Sequence, residues 1–386
     1  MGKYLEERDK KKVQEGEFWT SKQRQGHSLH HSISYRACFK PELPSFFINQ
    51  YLPKKGSVVM DPFGGRGTTA LQANLEGHCA IHNDISPLSL FIAKARQSIP
   101  SLSNIENKIS SWDLNRPVKS DPLENDLLAF YHPNTLKQIL NLREYLKEDP
   151  SPESQWIGLT ALSRLHGHSP GFFSVYSFPQ FSISPESQRR NNQKRSLFPE
   201  FRELKPRILK KIRKDFSDQI PTFFHKYSSQ NLYVQGSSEN INALESQSVD
   251  LIVTSPPFLD KVDYEGDNWL KNWFLGHPLH SIENGPSVFS STMEYRNFIK
   301  NTIRECSRVL KPGGRMVVEV GDVWFRGGQV NLDEWIVDES IGTSLFWEKS
   351  LIQTQKFTKL SNCWNVTNNE KGTNSNRCVV FKKLNS

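Results

Sequence analysis

"GSVVMDPFGGRGTTALQANLEG" runs from Gly56 to Gly77. A short apolar run gives way to a glycine cluster, and a helical pattern follows that stops at another glycine. Val58–Met60 suits a buried strand, being short, apolar and rich in β-branched residues. Gly64, Gly65 and Gly67 let the backbone approach a ligand closely, and the helix beyond them presents a partial positive charge. Gly77 is the expected C-cap. Downstream, "CAIHND" (79–84) reads as a second strand and "SPLSLFIAKARQ" (86–97) as a second helix with Pro87 in its first turn. Strand–helix–strand–helix alternation predicts a parallel α/β sheet.

Working outward, "ISYRACFKPELPSFFINQYL" (33–52) reads as a helix with Pro41 near its start, and residues 1–30 read as a polar arm. The alternation stops from about 101 to 228. Helical patterns there lead into an aromatic, Pro-rich patch and then a basic segment. It resumes with "LYVQGSS" (232–238) and "VDLIVTSPPF" (249–258), followed by a helix around "MEYRNFIKNTIRECSRVL", a turn "KPGG", and strands "RMVVEVGD" and "RCVVFKK". The expected organisation is an arm (1–30), a first catalytic part (31–100), a mostly helical insertion (101–228) and a second catalytic part (229–386).

The bulk numbers fit this picture. A chain of 386 residues can bury a large core, and 36% hydrophobic with 23% charged residues is ordinary for a globular enzyme. No run of 18 apolar residues exists, so a membrane span is not expected. The charged opening has no apolar stretch of the kind a secretory signal needs. Five scattered cysteines with no Cys-x-x-Cys pair point to free thiols in a reducing compartment. His166 and His168 lack further nearby ligands, and no metal is expected.

The net charge of +8 is unevenly placed, since Glu186–Asp215 holds 11 basic against 4 acidic residues. Arg189, Arg190, Lys194, Arg195, Lys210, Lys211, Arg213 and Lys214 are the candidates for contacting a polyanion. A solvated helix face is the alternative. Phe172, Phe173, Tyr176, Phe178 and Phe181 are read as core packing ahead of base contacts.

Two loops carry the chemistry. Gly65, Gly67 and Ala70 satisfy G-x-G-x-x-A, and Asp84 lies 19 residues after Gly65, a pattern shared with dinucleotide sites. Asp61 separates the two owners of such a loop. A carboxylate ahead of the glycines repels a pyrophosphate but suits an ammonium or sulfonium, which favours S-adenosylmethionine, with Asp84 placed for its ribose hydroxyls. "VTSPPF" (253–258) ends a strand with a hydroxyl, two rigid prolines and a ring. Either this is a stiff turn, or it is the fixed edge of a pocket for a flat substrate.

"DPFGGRGTT" together with "TSPPF" resembles the amino-methylating DNA methyltransferases, whose cofactor loop reads Asp-Pro-Phe-x-Gly-x-Gly-Thr-Thr and whose catalytic loop reads Ser/Asn/Asp-Pro-Pro-aromatic. "FKPEL", "RVLKPGGRMVVEVGD" and "KGTNSNRCVVFKK" are similar to further segments of that family, over roughly 30–100 and 231–386. The resemblance implies a Rossmann-like methyltransferase sheet using S-adenosylmethionine. Its cofactor set would be Lys40, Pro41, Asp61, Pro62, Phe63, Gly65, Gly67, Thr68, Thr69, Asp84, Ser237 and Ser238. Its catalytic set would be Ser255, Pro256, Pro257 and Phe258, the last standing where Tyr is more usual. Ser-Pro-Pro is commonest in the cytosine-N4 branch, although many of those enzymes run in the reverse motif order.

Cytosine's exocyclic nitrogen is a poor nucleophile because its lone pair is delocalised into the ring. Acceptors fixed around its N–H bonds, here the Ser255 hydroxyl and the Pro256 carbonyl, would free that pair, with Phe258 stacked on the extruded base. Ring-carbon methylation needs a thiolate, and no Pro-Cys pair occurs. The expected activity is therefore site-specific cytosine-N4 methylation of duplex DNA. The expected setting is prokaryotic or phage, cytoplasmic and nucleoid-associated, with a cognate restriction endonuclease as a partner to look for. Adenine-N6 methylation, RNA base methylation, a nicotinamide oxidoreductase and a non-enzymatic DNA-binding module stay open as alternatives.

Overall fold

A computed structural model describes residues 12–19, 26–35, 38–178, 182–257, 264–277, 289, 291–325, 328–353 and 376–385. Its strands are β1 (Val13–Gly16), β2 (Val58–Asp61), β3 (Cys79–Asp84), β4 (Leu232–Gln235), β5 (Val249–Thr254), β6 (Leu310–Phe325), β7 (Gly328–Asn331), β8 (Leu345–Gln353) and β9 (Asn376–Lys383). They form one sheet in the order β1-β8-β9-β6-β5-β2-β3-β4, with β7 paired to β6 outside that path. Strands β2 to β6 pair in parallel, as the alternating pattern predicts. The closing strand β9 inserts antiparallel between β6 and β8. The architecture is a doubly wound, Rossmann-like α/β sheet.

Alternate residues of each strand face opposite layers. Val59, Leu251, Val253, Val317 and Val380 face Leu43, Phe47 and Ile48 of the helix Glu42–Tyr51 and Ala70 and Ala73 of the helix Thr68–Glu76. Met60, Ile252, Met316, Val318 and Phe381 face Tyr295, Phe298, Ile299 and Ile303 of the helix Thr292–Val309. Both faces are covered, which is why these strands read as continuous apolar runs.

The helical segment packs as an extra layer. Its long helices Pro133–Glu148, Pro152–Arg164 and Leu204–Asp215 share one hydrophobic cluster with Leu71, Leu88 and Ile92 on the helices that flank β3. Leu270, Trp273 and Phe274, from the chain after β5, join the same cluster. This layer is thus not drawn from the insertion alone. Leu204, Ile208 and Ile212 are buried at a spacing of four, which makes the later half of the basic segment the outer face of an amphipathic helix, while its earlier half forms the polar helix Pro185–Arg195.

Two expectations change. Within the stretch read as a polar arm, β1 adds a parallel edge strand to β8, and Ser28–His31 forms a 3-10 turn that buries Leu29. The "KPGG" stretch is not a separate turn. Register between β5 and β6 jumps from Val249↔Leu310 to Leu251↔Arg315, so these residues bulge out of β6, with Gly313 at φ +78°.

Candidate active site

From β2 the chain crosses to β3 on one side, while β5 lies on the other. The carboxyl ends of β2 and β5 therefore flank a topological switch point, where open α/β sheets form their ligand crevice. Both motif loops open there. Thr254, the last residue of β5, donates its hydroxyl to Asp61 Oδ1 at 2.6 Å, which couples the end of β2 to the residue before Ser255.

Asp61 is buried and accepts two further bonds, from the Phe63 amide to Oδ1 and the Thr69 hydroxyl to Oδ2, each at 3.1 Å. Burial pushes its carboxyl up from 3.8 to about 6, against these hydrogen bonds, and the nearby Asp84 adds to the rise. Among the described residues no Lys or Arg forms an ion pair with it. Asp84 accepts from the amides of Gly65 (2.7 Å) and Ser86 (2.8 Å), and burial raises its carboxyl as well. Two desolvated carboxylates beside a glycine turn, with no ion-paired Lys or Arg among the described residues, fit a cationic ligand that also carries hydroxyls.

Gly65 (φ +50°) and Gly67 (φ +73°) occupy the left-handed region, and Gly67 N–H closes the turn onto Gly64 O at 2.7 Å. Residues that sequence patterns did not single out hold this loop from below. Ser89 donates to Gly65 O at 2.7 Å, and His82 Nε2 bonds that hydroxyl at 2.9 Å. The buried Arg96 guanidinium donates to Arg66 O, and burial lowers its pKa to about 9. Arg96 shows no motif, only a charge inside an apolar helical pattern, and that is the sole signal that could have marked it.

Most cofactor candidates gather at this crevice. Pro62 and Phe63 follow Asp61 directly, and Thr68 and Thr69 begin the helix whose N-cap is Gly67. Phe63 packs at 5.6 Å on Phe298. Pro41 is the N-cap of the helix Glu42–Tyr51, with the partly buried Lys40 before it. The two serines diverge. Ser237 is exposed, whereas Ser238 is buried against Thr302 at 3.0 Å and fastens its loop to the helix Thr292–Val309. The Ser238 hydroxyl thus has a structural partner in Thr302.

In the second loop, Ser255 and Pro257 are partly exposed and Pro256 is buried, while Phe258 lies outside the described residues. Glu319 of β6 was missed by sequence reasoning. Thr254 pairs with Val318 in parallel register, which brings the next positions, Ser255 and Glu319, side by side. Burial raises the Glu319 carboxyl, and the hydrogen bond from Ser255 works against that rise. When Glu319 is ionised it can only accept in this bond, so the Ser255 hydroxyl donates to it and the Ser255 oxygen keeps its lone pairs for another donor.

The basic candidates divide sharply. Lys194, Lys210 and Lys214 are exposed with no ion pair among the described residues, and Arg195 lies over the Tyr176 ring at 4.5 Å. Arg189 pairs with Asp126, Arg190 with Glu186 and Arg213 with Glu106. Lys211 is a correction. It is largely buried, paired with Asp215 and donating to His31 O, and so holds the helix Leu204–Asp215 onto the 3-10 turn. Phe173 is fully buried, in line with core packing, and Phe181 lies outside the described residues. Both His166 ring nitrogens face structural partners, the Phe178 carbonyl and the Ser182 hydroxyl.

A family model of DNA methylases, N6/N4 type, matches residues 2–94 and 249–383. The type II methyltransferase M.BsoBI of Geobacillus stearothermophilus is 23% identical over 302 residues, covering 71% of this chain and 58% of that protein. This chain thus spans less than two thirds of that relative's length. Among solved structures, TrmN from Thermus thermophilus matches 90% of this chain and 50% of its own at 11% identity and a TM-score of 0.36. A second Thermus thermophilus structure, named as a putative DNA modification methylase complexed with S-adenosyl-L-methionine, matches 39% of this chain and 52% of its own. Its identity is 21% and its TM-score 0.25.

Proposed function

Because the chain belongs to the N6/N4 family of DNA methylases, we propose that it transfers a methyl group from S-adenosylmethionine to an exocyclic amine of duplex DNA, cytosine N4 in particular. The observation that carries this reading is the 2.6 Å bond between Thr254 and Asp61, since it joins the loop suited to a cation to the loop suited to an amine. The Ser-Pro-Pro sequence favours cytosine, and a type II relative favours a cognate restriction endonuclease as partner.

When bound, the cofactor supplies an electrophilic methyl on a sulfonium. The residues of this chain account for the rest. Asp61 receives the positively charged end, and Asp84 receives the ribose hydroxyls with whatever acceptor capacity the Gly65 and Ser86 amides leave. The loop Gly236–Ser238, which Asn83 ties to the Asp-Pro-Phe loop, would border the adenine. Glu319 holds the Ser255 proton, so that the Ser255 oxygen accepts an N–H from the target amine while the fixed Pro256 carbonyl accepts the other. Both contacts would draw the nitrogen toward tetrahedral geometry and localise its lone pair for attack. The proton released after transfer passes to Ser255 and on to Glu319, or to water. The exposed Lys194, Lys210 and Lys214 would contact DNA phosphates.

Incubation with duplex DNA and methyl-labelled cofactor, followed by mass spectrometry of the nucleosides, tests the reading. N4-methylcytosine is the expected product. N6-methyladenine would reassign the base within the same pocket, and label in tRNA but not in DNA would overturn the assignment.

A further inference from the structure

Asn83 is fully buried at the penultimate position of β3. Its Nδ2 donates to the Pro62 carbonyl at 3.0 Å and to the Gly236 carbonyl at 3.1 Å. Pro62 belongs to the loop after β2 and Gly236 to the loop after β4. These strands are separated by β3, so the sheet ladder cannot bond one loop to the other. A single carboxamide joins them.

The geometry demands this side chain. Two carbonyls facing one point need two donors on one short arm. The Asn amide has both, an ionised Asp has none, and a Ser hydroxyl has one. Among the described residues the buried Asn83 carboxamide oxygen has no hydrogen-bond partner, so the side chain is held through its two donated bonds. Neighbouring bonds act in the same direction. Gly64 N–H donates to the Asn83 carbonyl at 2.8 Å, and Gly236 N–H donates to the Asp84 carbonyl at 3.1 Å. Ser238 fastens the far end of the second loop. Both loops are thus registered on the end of β3, and Asn83 sets the distance between them.

We propose that Asn83 is a positioning residue that fixes the width of the cleft holding the adenosine half of the cofactor. This rests on the cofactor assignment made above. Asn83 touches no ligand itself. Its effect is to keep the adenine-side loop and the Asp-Pro-Phe loop at the spacing one nucleoside requires.

Calorimetry with two probes, S-adenosylhomocysteine and adenosine alone, provides the test. Asn83→Leu is expected to weaken both by the same factor, tenfold or more, because both carry the half that the cleft grips. Turnover at saturating cofactor and affinity for duplex DNA should stay within about threefold of wild type, a split that general loosening of the fold would not give. Asn83→Asp, equal in size, gives the same result if the Leu variant does not fold. Asp61→Asn serves as the contrast, weakening S-adenosylhomocysteine while leaving adenosine alone. Wild-type affinity of the Asn83 variants for both probes would overturn the inference, as would a loss confined to DNA binding or to turnover. If the wild-type protein takes up neither probe, it is the cofactor assignment that fails.

Discussion

Replacing Asp61 with Asn should leave a protein that is more stable without its cofactor and poorer at binding it. The Asp61 carboxyl is displaced from 3.8 to about 6 by burial. At about 1.4 kcal/mol for each tenfold change in acidity, ionising it inside the fold costs about 3 kcal/mol. The folded state holds this proton more tightly than the unfolded chain does. The penalty is therefore absent only well below the unfolded value of 3.8, grows as pH rises, and is complete above about pH 7. Asn keeps an acceptor for the Phe63 amide and the Thr254 hydroxyl and removes the charge. For 386 residues a gain of about 3 kcal/mol corresponds to roughly 4 °C in melting temperature. That gain should appear in full at pH 8 and shrink to a small fraction of it at pH 4. The ammonium of S-adenosylhomocysteine, the one cation this probe carries, relieves the same penalty, so the Asn variant should lose up to about a hundredfold in affinity for it at pH 8. In the wild type, affinity should fall as pH drops through 6. Calorimetric titrations and thermal melts across pH 4–8 read both effects. Unchanged ligand affinity in the variant, or wild-type affinity that is flat between pH 5 and 8, would refute the reasoning.

Ser255→Ala should reduce kcat on the order of a hundredfold with S-adenosylhomocysteine affinity unchanged, as expected for a group that acts only on the reacting amine. Glu319→Gln should produce a similar loss, and the double variant should be little worse than either, because the two act as one unit; kinetics of all three check this. In the wild type the acid limb of the kcat profile should lie above the ordinary carboxylate range, because burial raises Glu319. Gly67→Ala should lower stability by about 1–2 kcal/mol, since the residue sits at φ +73° and its new Cβ would fall 2.9 Å from the Arg96 guanidinium; a denaturant melt measures it. Replacing Lys194, Lys210 and Lys214 together with Ala should weaken DNA binding and flatten its salt dependence by about 0.9 for each phosphate no longer neutralised. Lys211→Ala should instead lower the melting temperature, because that lysine holds two elements of the fold together.

Local rules made much of this protein readable from its residues. The apolar run before Asp61, the glycines at 65, 67 and 77, and Pro87 at a helix start encode backbone geometry, and backbone geometry depends on a few neighbouring residues. Their alternation was enough to predict a parallel sheet with a loop at each strand end, and the two motif loops stand at such ends. The edge strand β1 escaped notice because its residues, Val-Gln-Glu-Gly, carry no apolar pattern and pair through the backbone alone. Strand order and register belong to the tertiary structure. They bring Thr254 to Asp61, and they place Glu319 beside Ser255 and Asn83 beneath two loops that are 174 positions apart in sequence (62 and 236). The same holds for charge. In sequence Lys210 and Lys211 are equivalent, yet helical rotation turns one to solvent and buries the other against Asp215. Chemistry that depends on which side chains meet across the sheet is fixed by packing, because a local pattern specifies the direction a residue faces but not what it will face.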